Sequence, residues 1–256
     1  MPRPRCLIRS ITEFRSQYQG LRDGDAVLGV LALRPGEEIM VLDLADRGVA
    51  FFPPALAQLL GRSKAAQAAV LGEFMVPASF VAYGLSDLAA WLPEYHSRNL
   101  GPVVVKRDRA HLGLGVSLWP SLEALYSLAG LQGLVYPLVV QPLLTGARDL
   151  RAVFLGEYVE AYERVNPHSF RKNLYQGGSS QPADLSPEQQ AFCRRVMERG
   201  GFPYAILDLL IDPQGGTFLS EINFRGGLTG ARLNQAEFRQ RLAALEEEFV
   251  RQWEDS

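Results

Sequence analysis

The clearest pattern of apolar and polar positions is a pair of short segments near the C-terminal end of the chain, which together predict a β-hairpin. Residues 205–211 are apolar except for Asp208, as expected of a largely buried strand. Residues 217–224 alternate between apolar and polar positions, which is the two-residue period of a strand. The five residues between them, 212–216, read Asp-Pro-Gln-Gly-Gly and favour a tight turn.

This hairpin is expected to bring oxygen-bearing side chains together, with its turn centred between Gln214 and Gly215. The antiparallel register then places Asp208 opposite Glu221, and Asn223 lies on the same face as Glu221. Two carboxylates that face each other repel, and a carboxylate within an apolar strand is costly without a partner. A divalent cation removes both costs, and hard oxygen ligands suit Mg²⁺. The alternative is a surface hairpin with scattered polar residues that share no ligand.

The rest of the chain alternates between helical and strand periods, without internal repeats or low-complexity tracts. Helices are predicted at residues 11–21, 55–60, 63–71, 86–95, 121–129, 186–197 and 234–253. Strands are predicted at residues 26–33, 38–44, 76–83, 102–106, 135–144, 149–155 and 158–165. Residues 1–62 are therefore expected to form a small α/β lobe, in which no chemistry is evident.

Composition and charge limit the classes of partner. Of the 256 residues, 47% are hydrophobic and 21% are charged, which is typical of soluble globular proteins. The net charge of −2, with both signs interspersed, argues against nucleic acid or an anionic membrane as the main partner. Cys6 and Cys193 have no metal-binding or redox spacing. Since neither a signal peptide nor a membrane span is evident, we expect a cytoplasmic protein.

A second group of candidate residues follows the apolar strand at residues 102–106. Lys106 ends this strand, and the loop after it contains Gly113 and Gly115. These glycines can bring backbone N–H groups against an anion. The lysine, the loop and the following strand together indicate a phosphate site. The alternative for Lys106 is a surface residue whose head group reaches solvent.

Residues 149–165 predict another hairpin, with its turn at residues 156–157. In that register Asp149 faces Arg164, and Arg151 lies on the same face as Asp149. One interpretation is an ion pair between strands, worth under about 1 kcal/mol when exposed. The other is a cation directed at a phosphate group.

The order of these motifs is similar to that of a known family. Along the chain stand Lys106, Gly113, Gly115, Asp-Leu-Arg at 149–151, Glu-Arg at 163–164, Phe-Arg-Lys-Asn-Leu at 170–174, Gly-Gly at 177–178, Asp208 and Glu-Ile-Asn at 221–223. Over residues 63–232 the chain resembles the ATP-grasp superfamily, and within it the RimK-type glutamate ligases most closely. Each motif alone is common, whereas their combination is specific.

The resemblance implies an α+β protein with the two-lobed ATP-grasp fold. Residues 1–62 would be a short pre-ATP-grasp lobe, residues 63–140 the first ATP-grasp subdomain and residues 141–256 the second. The family uses ATP and Mg²⁺, with Mn²⁺ as an alternative metal, to form an acylphosphate that an amine then attacks. The acceptor would be an amino acid, a peptide or a protein. A homo-oligomer is common among such soluble enzymes, and the oligomeric state stays open.

The resemblance also implies roles for individual residues. Contacts with the nucleotide are expected from Lys64, Lys106, Gly113, Gly115, Gln141, Pro142, Leu143, Asp149, Arg171, Lys172 and Asn173. The magnesium ligands would be Asp208, Glu221 and Asn223. The residues that act on the transferred phosphoryl group would be Lys106, Arg151 and Arg171. The candidates to bind a substrate carboxylate are Arg225 and Arg232.

Three departures from the family pattern concern the ribose and the substrate. Pro142 stands where the family usually has an acidic residue, directly after Gln141 in the strand that could act as a hinge. Phe-Arg-Gly-Gly at 224–227 replaces Ala-Ser-Pro-Gly. The N-terminal lobe, which helps to bind the acceptor in the family, is also short, so the acceptor is not carried over by resemblance. A phosphotransferase and an ATP-binding module without catalysis are the alternative functions.

Overall fold

The computed structural model describes residues 4–110, 115–166 and 178–256. Within these ranges the chain forms three β-sheets that pack against helices. A membrane-spanning helix is not found in the same ranges, since none combines the necessary length with an apolar sequence.

The N-terminal lobe contains a parallel sheet of three short strands in the order β1-β2-β3. Its elements are β1 (Leu7–Ile8), α1 (Ile11–Gln17), β2 (Ala26–Leu28), α2 (Glu38–Asp46), β3 (Ala50–Phe52) and α3 (Ala55–Leu60). The apolar core of this lobe includes Phe14, Val27, Val41, Leu44 and Phe51.

The strand predicted at residues 38–44 is wrong, because these residues belong to helix α2. Consecutive parallel strands need a crossover connection, and α2 lies in the connection between β2 and β3. The helical spacing buries Val41 and Leu44, which are three residues apart. The strand predicted at residues 26–33 also ends early, where Gly29 takes a positive φ of 96°.

The second sheet is antiparallel, with the strand order β4-β7-β5-β6. The elements of this region are α4 (Lys64–Leu71), β4 (Phe80–Ala82), α5 (Leu85–Ser97), β5 (Val103–Arg107), β6 (Val116–Trp119), α6 (Leu122–Gln132) and β7 (Leu138–Pro142). Apolar residues of α5 and α6 form one core with those of β4, β5 and β7. Lys106 lies near the end of β5, as the sequence predicts.

The third sheet is also antiparallel, with the strand order β10-β9-β8-β11-β12. Its region contains β8 (Arg148–Leu155), β9 (Tyr158–Val165), β10 (Ser179–Ala183), α7 (Pro187–Gly200), β11 (Tyr204–Ile211), β12 (Thr217–Asn223) and α8 (Gln235–Glu254). Both predicted hairpins are present, and β8 pairs with β11 between them. The predicted apolar stripe of α8, Phe238, Leu242, Leu245 and Phe249, packs against the core of this sheet.

Several helices begin at the capping residues that the sequence indicates. The side chains of Ser63, Ser186 and Asn234 accept backbone N–H groups at the starts of α4, α7 and α8. The cap at Ser63 places Lys64 in the first turn of α4, where its side chain reaches the third sheet.

The expected domain boundaries after residues 62 and 140 stay a prediction. The apolar core of the third sheet includes Leu28 and Phe52 from the N-terminal lobe and Leu71 from α4. Shared packing therefore joins the regions on both sides of the first boundary.

Candidate functional site

A β-bulge in the β11–β12 hairpin sets the position of the two candidate carboxylates. From the turn to Leu219 the strands pair in one register. Asp208 then pairs with Glu221, which leaves Ser220 as the extra residue of the bulge. Without the bulge, Asp208 would pair with Ser220 and Glu221 would point to the opposite side of the sheet. The predicted pairing of the carboxylates is confirmed, but the bulge and not the turn alone produces it.

Two arginines bind the carboxylate of Asp208 from the neighbouring strands. Arg151 of β8 is bidentate, with Nε 2.7 Å from Oδ1 and Nη2 2.9 Å from Oδ2. Arg164 of β9 places Nη2 3.1 Å from Asp208 Oδ2 and 2.6 Å from Asp149 Oδ1. The register puts all four side chains on one face of the sheet. The predicted facing of Asp149 and Arg164 is confirmed, and it is part of a larger buried network.

Within this network the pKa values of Asp208 and Asp149 are shifted in opposite directions. Burial raises the pKa of Asp208, but the charges of Arg151 and Arg164 outweigh burial and hold that pKa below its ordinary value. Burial also raises the pKa of Asp149, and there the charge of Arg164 is not enough to offset it. Asp208 is therefore the stable anion of the network, and Asp149 is the member that takes up a proton more readily.

Two lysines reach the bulge from outside the third sheet. Lys106 of β5 donates from Nζ to the carbonyl and hydroxyl oxygens of Ser220, both at 3.1 Å. Lys64 of α4 lies 3.1 Å from Glu221 Oε1 and donates to the Ala110 carbonyl at 2.7 Å. Burial lowers the pKa of Lys106, and the charge of Glu221 opposes this shift. Cations of the second sheet and of α4 thus meet carboxylates of the third sheet at one place.

The candidate metal ligands fit Mg²⁺ by the chemistry of their donor atoms. Asp208, Glu221 and Asn223 present hard oxygens on one face of the hairpin. In the part of the chain that the structure describes, no three His, Cys, Asp or Glu side chains are grouped as a metal site. Two carboxylates and an amide suit Mg²⁺ when phosphate oxygens and water complete its shell. Both oxygens of Asp208 already bind arginines, so Glu221 and Asn223 are the more accessible ligands.

Gln67 of α4 holds the strand between these two ligands, and sequence reasoning missed it. Because β12 is an edge strand, the N–H and C=O groups of Ile222 point outward, and both bind the Gln67 amide, at 3.0 and 2.8 Å. The same amide donates to the Leu60 carbonyl and is buried. The sequence contains one signal for this role: Gln67 is a polar residue on the same face of α4 as Lys64 and Leu71, where a buried polar group needs hydrogen-bond partners.

The expected adenine segment from Gln141 to Leu143 has few free backbone donors. The Leu143 N–H already donates to the Pro102 carbonyl at 2.8 Å, and Pro142 has no N–H. In the described part of the chain, the buried Oε1 of Gln141 has no hydrogen-bond partner. An acceptor buried in this way is costly, and it matches a donor such as the amino group of a nucleobase.

Gly115 closes the loop that follows β5. Its carbonyl accepts the Arg107 N–H at 2.7 Å, and a Cβ at this position would lie 2.2 Å from the Cβ of Ala110. A larger residue would therefore push the two sides of the loop apart. The remaining nucleotide candidates, Gly113, Arg171, Lys172 and Asn173, lie outside the described residues.

The two arginines expected to bind substrate lie in different environments. Arg225 is exposed and lines a cavity of about 600 Å³ between the N-terminal lobe and the segment after β12. Arg232 lies against the buried Glu160, with Nε 3.7 Å from Oε2, and its backbone N–H donates to the same oxygen at 2.9 Å. These contacts anchor the segment before α8. The structure thus brings Arg225 to the cavity and places Arg232 elsewhere.

The sequence matches the RimK-like ATP-grasp domain over residues 57–244. A probable alpha-L-glutamate ligase of Shewanella frigidimarina is 34% identical over 134 residues, which are 50% of this chain and 45% of that protein. The chain spans about half the length of the curated relatives that it matches.

Solved structures share the arrangement of sheets and helices. The VanG D-Ala:D-Ser ligase from Enterococcus faecalis matches with a TM-score of 0.60 and 21% identity, over 87% of this chain and 73% of that one. The ATP-grasp ligase PsnB, in complex with a phosphomimetic variant of a minimal precursor, Mg and ADP, matches with a TM-score of 0.56 and 18% identity. That match covers 86% of this chain and 77% of PsnB. At such identities the similarity shows the fold, and it confirms the predicted α+β ATP-grasp architecture.

Proposed function

The chain belongs to the RimK-like ATP-grasp domain family, and on this premise we propose that it is an ATP- and Mg²⁺-dependent carboxylate–amine ligase. A carboxylate oxygen attacks the γ-phosphoryl group of ATP, an acylphosphate forms and ADP leaves. An amine nitrogen then attacks the acyl carbon. The C–N bond forms, the bond from that carbon to the phosphate oxygen breaks, and phosphate and a proton are released.

The observation that supports this proposal most is the meeting of four cations with three carboxylates around the bulge of β12. Lys64 and Lys106 come from α4 and β5, and Arg151 and Arg164 come from β8 and β9. The attack of a carboxylate on a triphosphate joins two anions, so catalysis depends mainly on charge neutralisation and alignment. A site with more cations than carboxylates meets this requirement.

We assign the two lysines to the phosphate groups of ATP. The ammonium groups of Lys64 and Lys106 bind oxygen atoms of the protein, and phosphate oxygens can take the place of these partners. Glu221 and Asn223, together with Asp208, would hold Mg²⁺, which neutralises phosphate charge when it is bound. This assignment gives a role to the two lysines and to the two carboxylates of the β11–β12 hairpin.

Arg151 is assigned to the transferred phosphoryl group. Asp208 fixes the orientation of its guanidinium by the bidentate contact. Its Nη1 also donates to the Gly227 carbonyl at 3.3 Å, next to the cavity lined by Gly226. Arg151 therefore contacts both a proposed metal ligand and the segment that lines the cavity, which supports this assignment.

The products of ATP turnover test the proposal. We would incubate the chain with Mg²⁺, ATP, hydroxylamine and a panel of carboxylates that includes amino acids and short peptides. A ligase yields hydroxamates, ADP and phosphate. A phosphotransferase would yield ADP without a hydroxamate, and a binding module would yield neither. Formation of AMP and pyrophosphate would contradict the proposed chemistry.

A further inference from the structure

The cavity of about 600 Å³ is lined by Gly226, next to the Gly227 carbonyl that Arg151 binds. One side of it is formed by the segment that includes and follows β2, and the other by residues 224–228 and helix α8. A Cβ added to Gly226, which lines the cavity, would lie 3.4 Å from Nη1 of Arg151. Gly226 therefore lies between the cavity and Arg151, the residue assigned to the transferred phosphoryl group. Its volume lies in the range of small-molecule sites, about 300–1,000 Å³.

Apolar residues line the cavity on both of its sides and together form what we call the apolar wall. They are Leu28, Val30, Phe224, Leu228, Phe238 and Leu242. An aliphatic or aromatic side chain gains from leaving water against such a wall. A carboxylate side chain, such as that of glutamate, would lose hydration there, which is strongly unfavourable.

The cavity also carries an excess of positive charge. It is lined by three arginines, Arg9, Arg225 and Arg239, and by one carboxylate, Glu246. Burial raises the pKa of Glu246, and the nearby charge of Arg9 opposes this shift, so these two groups offset each other. Among residues 4–110, 115–166 and 178–256, no carboxylate lies within 4.0 Å of the guanidinium nitrogens of Arg225 or Arg239. Both arginines are exposed and available to an anionic ligand.

We propose that this cavity is the acceptor site and that it takes an α-amino acid with an apolar side chain, such as leucine or phenylalanine. Arg225 and Arg239 bind its carboxylate, and the apolar wall contacts its side chain. The amine lies toward Gly226 and Arg151, where the acylphosphate forms. This inference rests on the proposed ligase function, and it selects a different side chain from the glutamate in the names of the relatives.

Binding of free amino acids to the full chain tests this assignment without any need for turnover. Isothermal titration calorimetry in the presence of Mg²⁺ and ADP would compare L-leucine, L-glutamate and leucinol, which is leucine without its carboxylate. We expect leucine to bind at least about 10-fold more tightly than glutamate, because of the apolar wall, and than leucinol, because of the arginines. Equal or tighter binding of glutamate or leucinol would overturn the proposal.

Variants of the lining residues test whether leucine binds in this cavity or elsewhere on the protein. Arg225→Gln and Arg239→Gln should each weaken leucine binding about 10- to 100-fold. The control is Arg241→Gln. Arg241 lies on α8 with Arg239 but outside the cavity, and its guanidinium covers the Tyr158 ring, so this substitution should leave leucine binding unchanged. Phe238→Ala should weaken phenylalanine binding through the apolar wall. Circular dichroism and ADP affinity report whether each variant is folded.

The outcomes distinguish this inference from the ligase function. Unchanged leucine affinity in folded Arg225→Gln and Arg239→Gln would overturn the cavity assignment, even if hydroxamates form. Leucine binding that depends on both arginines, in a protein that forms no hydroxamate with any carboxylate, would support the cavity assignment and contradict the ligase function.

Discussion

The proposed nucleotide side and the proposed acceptor side of this protein are built in different ways. On the nucleotide side, charged groups are buried and paired with one another, as Arg151 is with Asp208. On the acceptor side, Arg225 and Arg239 are exposed next to an apolar wall, and no carboxylate of the described residues lies within 4.0 Å of their guanidinium nitrogens. The two sides meet at Gly226.

This difference indicates how each side recognises its ligand. A set of paired charges is already oriented before ATP binds, so little reorganisation is needed at the moment of reaction. Residues of an apolar wall with exposed cations can be substituted one at a time, which changes the substrate that fits but leaves the catalysed reaction the same. We therefore expect substitutions on the nucleotide side to remove turnover, and substitutions on the acceptor side to change the choice of substrate.

The largest effect is expected from Glu221→Gln, which removes an accessible ligand of the proposed Mg²⁺ site and the partner of Lys64. ADP release should fall about 100- to 1,000-fold, as when one charge-stabilising group is lost from an active site. The control is Glu157→Gln, at the exposed turn of the β8–β9 hairpin. Full activity of Glu221→Gln at ordinary Mg²⁺ concentrations would remove the metal assignment.

A smaller effect is expected from Arg151→Lys, which keeps the charge but loses the bidentate contact with Asp208. We expect kcat to fall about 10- to 100-fold in steady-state assays of ADP release, with less change in KM for ATP. Arg148→Lys is the matched control, because Arg148 makes a similar bidentate contact with Glu163 at an exposed position. An equal loss in both variants would show that the orientation of Arg151 is unimportant.

Gln67→Met tests whether the edge strand positions the metal ligands. The loss of its contacts with the Ile222 backbone should lower the free energy of unfolding by about 1–3 kcal/mol. It should also raise the Mg²⁺ concentration that gives half-maximal ADP release, because Glu221 and Asn223 are no longer held in place. Gln58 makes comparable backbone contacts in the N-terminal lobe, so Gln58→Met should destabilise similarly without a change in Mg²⁺ requirement. Equal Mg²⁺ requirements in the two variants would show that Gln67 contributes to stability but does not position the metal ligands.

The smallest effect is expected from Arg232→Gln, which lies outside the cavity. Its side chain is 67% exposed, and the backbone N–H keeps the contact with Glu160. Stability should therefore change by less than about 0.5 kcal/mol. Leucine affinity, measured by calorimetry, should stay within about 2-fold, which is close to no change in binding free energy. A loss as large as that of Arg225→Gln would place the carboxylate site nearer to Arg232 than the cavity suggests.

The elements of the nucleotide side could be predicted because their signals are local. The strand that ends near Lys106 and the facing of Asp149 and Arg164 follow from two-residue periods and turn residues. The pairing of Asp208 with Glu221 also needs the bulge at Ser220, which the turn residues do not indicate. The strongest of these signals was Asp208 inside an apolar run, because a buried carboxylate is strongly unfavourable without a charged or hydrogen-bonding partner.

The remaining features depend on contacts between distant parts of the chain. Residues 38–44 carry an apolar run that suits a strand, and only the parallel pairing of β2 and β3 makes a connecting helix necessary. The partner of Lys106 is Ser220, 114 residues further along the chain. The proposed acceptor cavity combines β2, the segment after β12 and α8, so no local pattern indicates that Arg225 and Arg239 line the same cavity.

A crystal structure with Mn²⁺ in place of Mg²⁺ and a non-hydrolysable ATP analogue would test the proposed nucleotide site most directly. The anomalous scattering of Mn²⁺ would locate the metal. We expect it within about 2.5 Å of side-chain oxygens of Glu221 and Asn223, with Lys106 on the phosphates and Arg151 at the γ-phosphate. A metal bound away from the β12 bulge, or a triphosphate that does not reach Lys106, would contradict the proposed site.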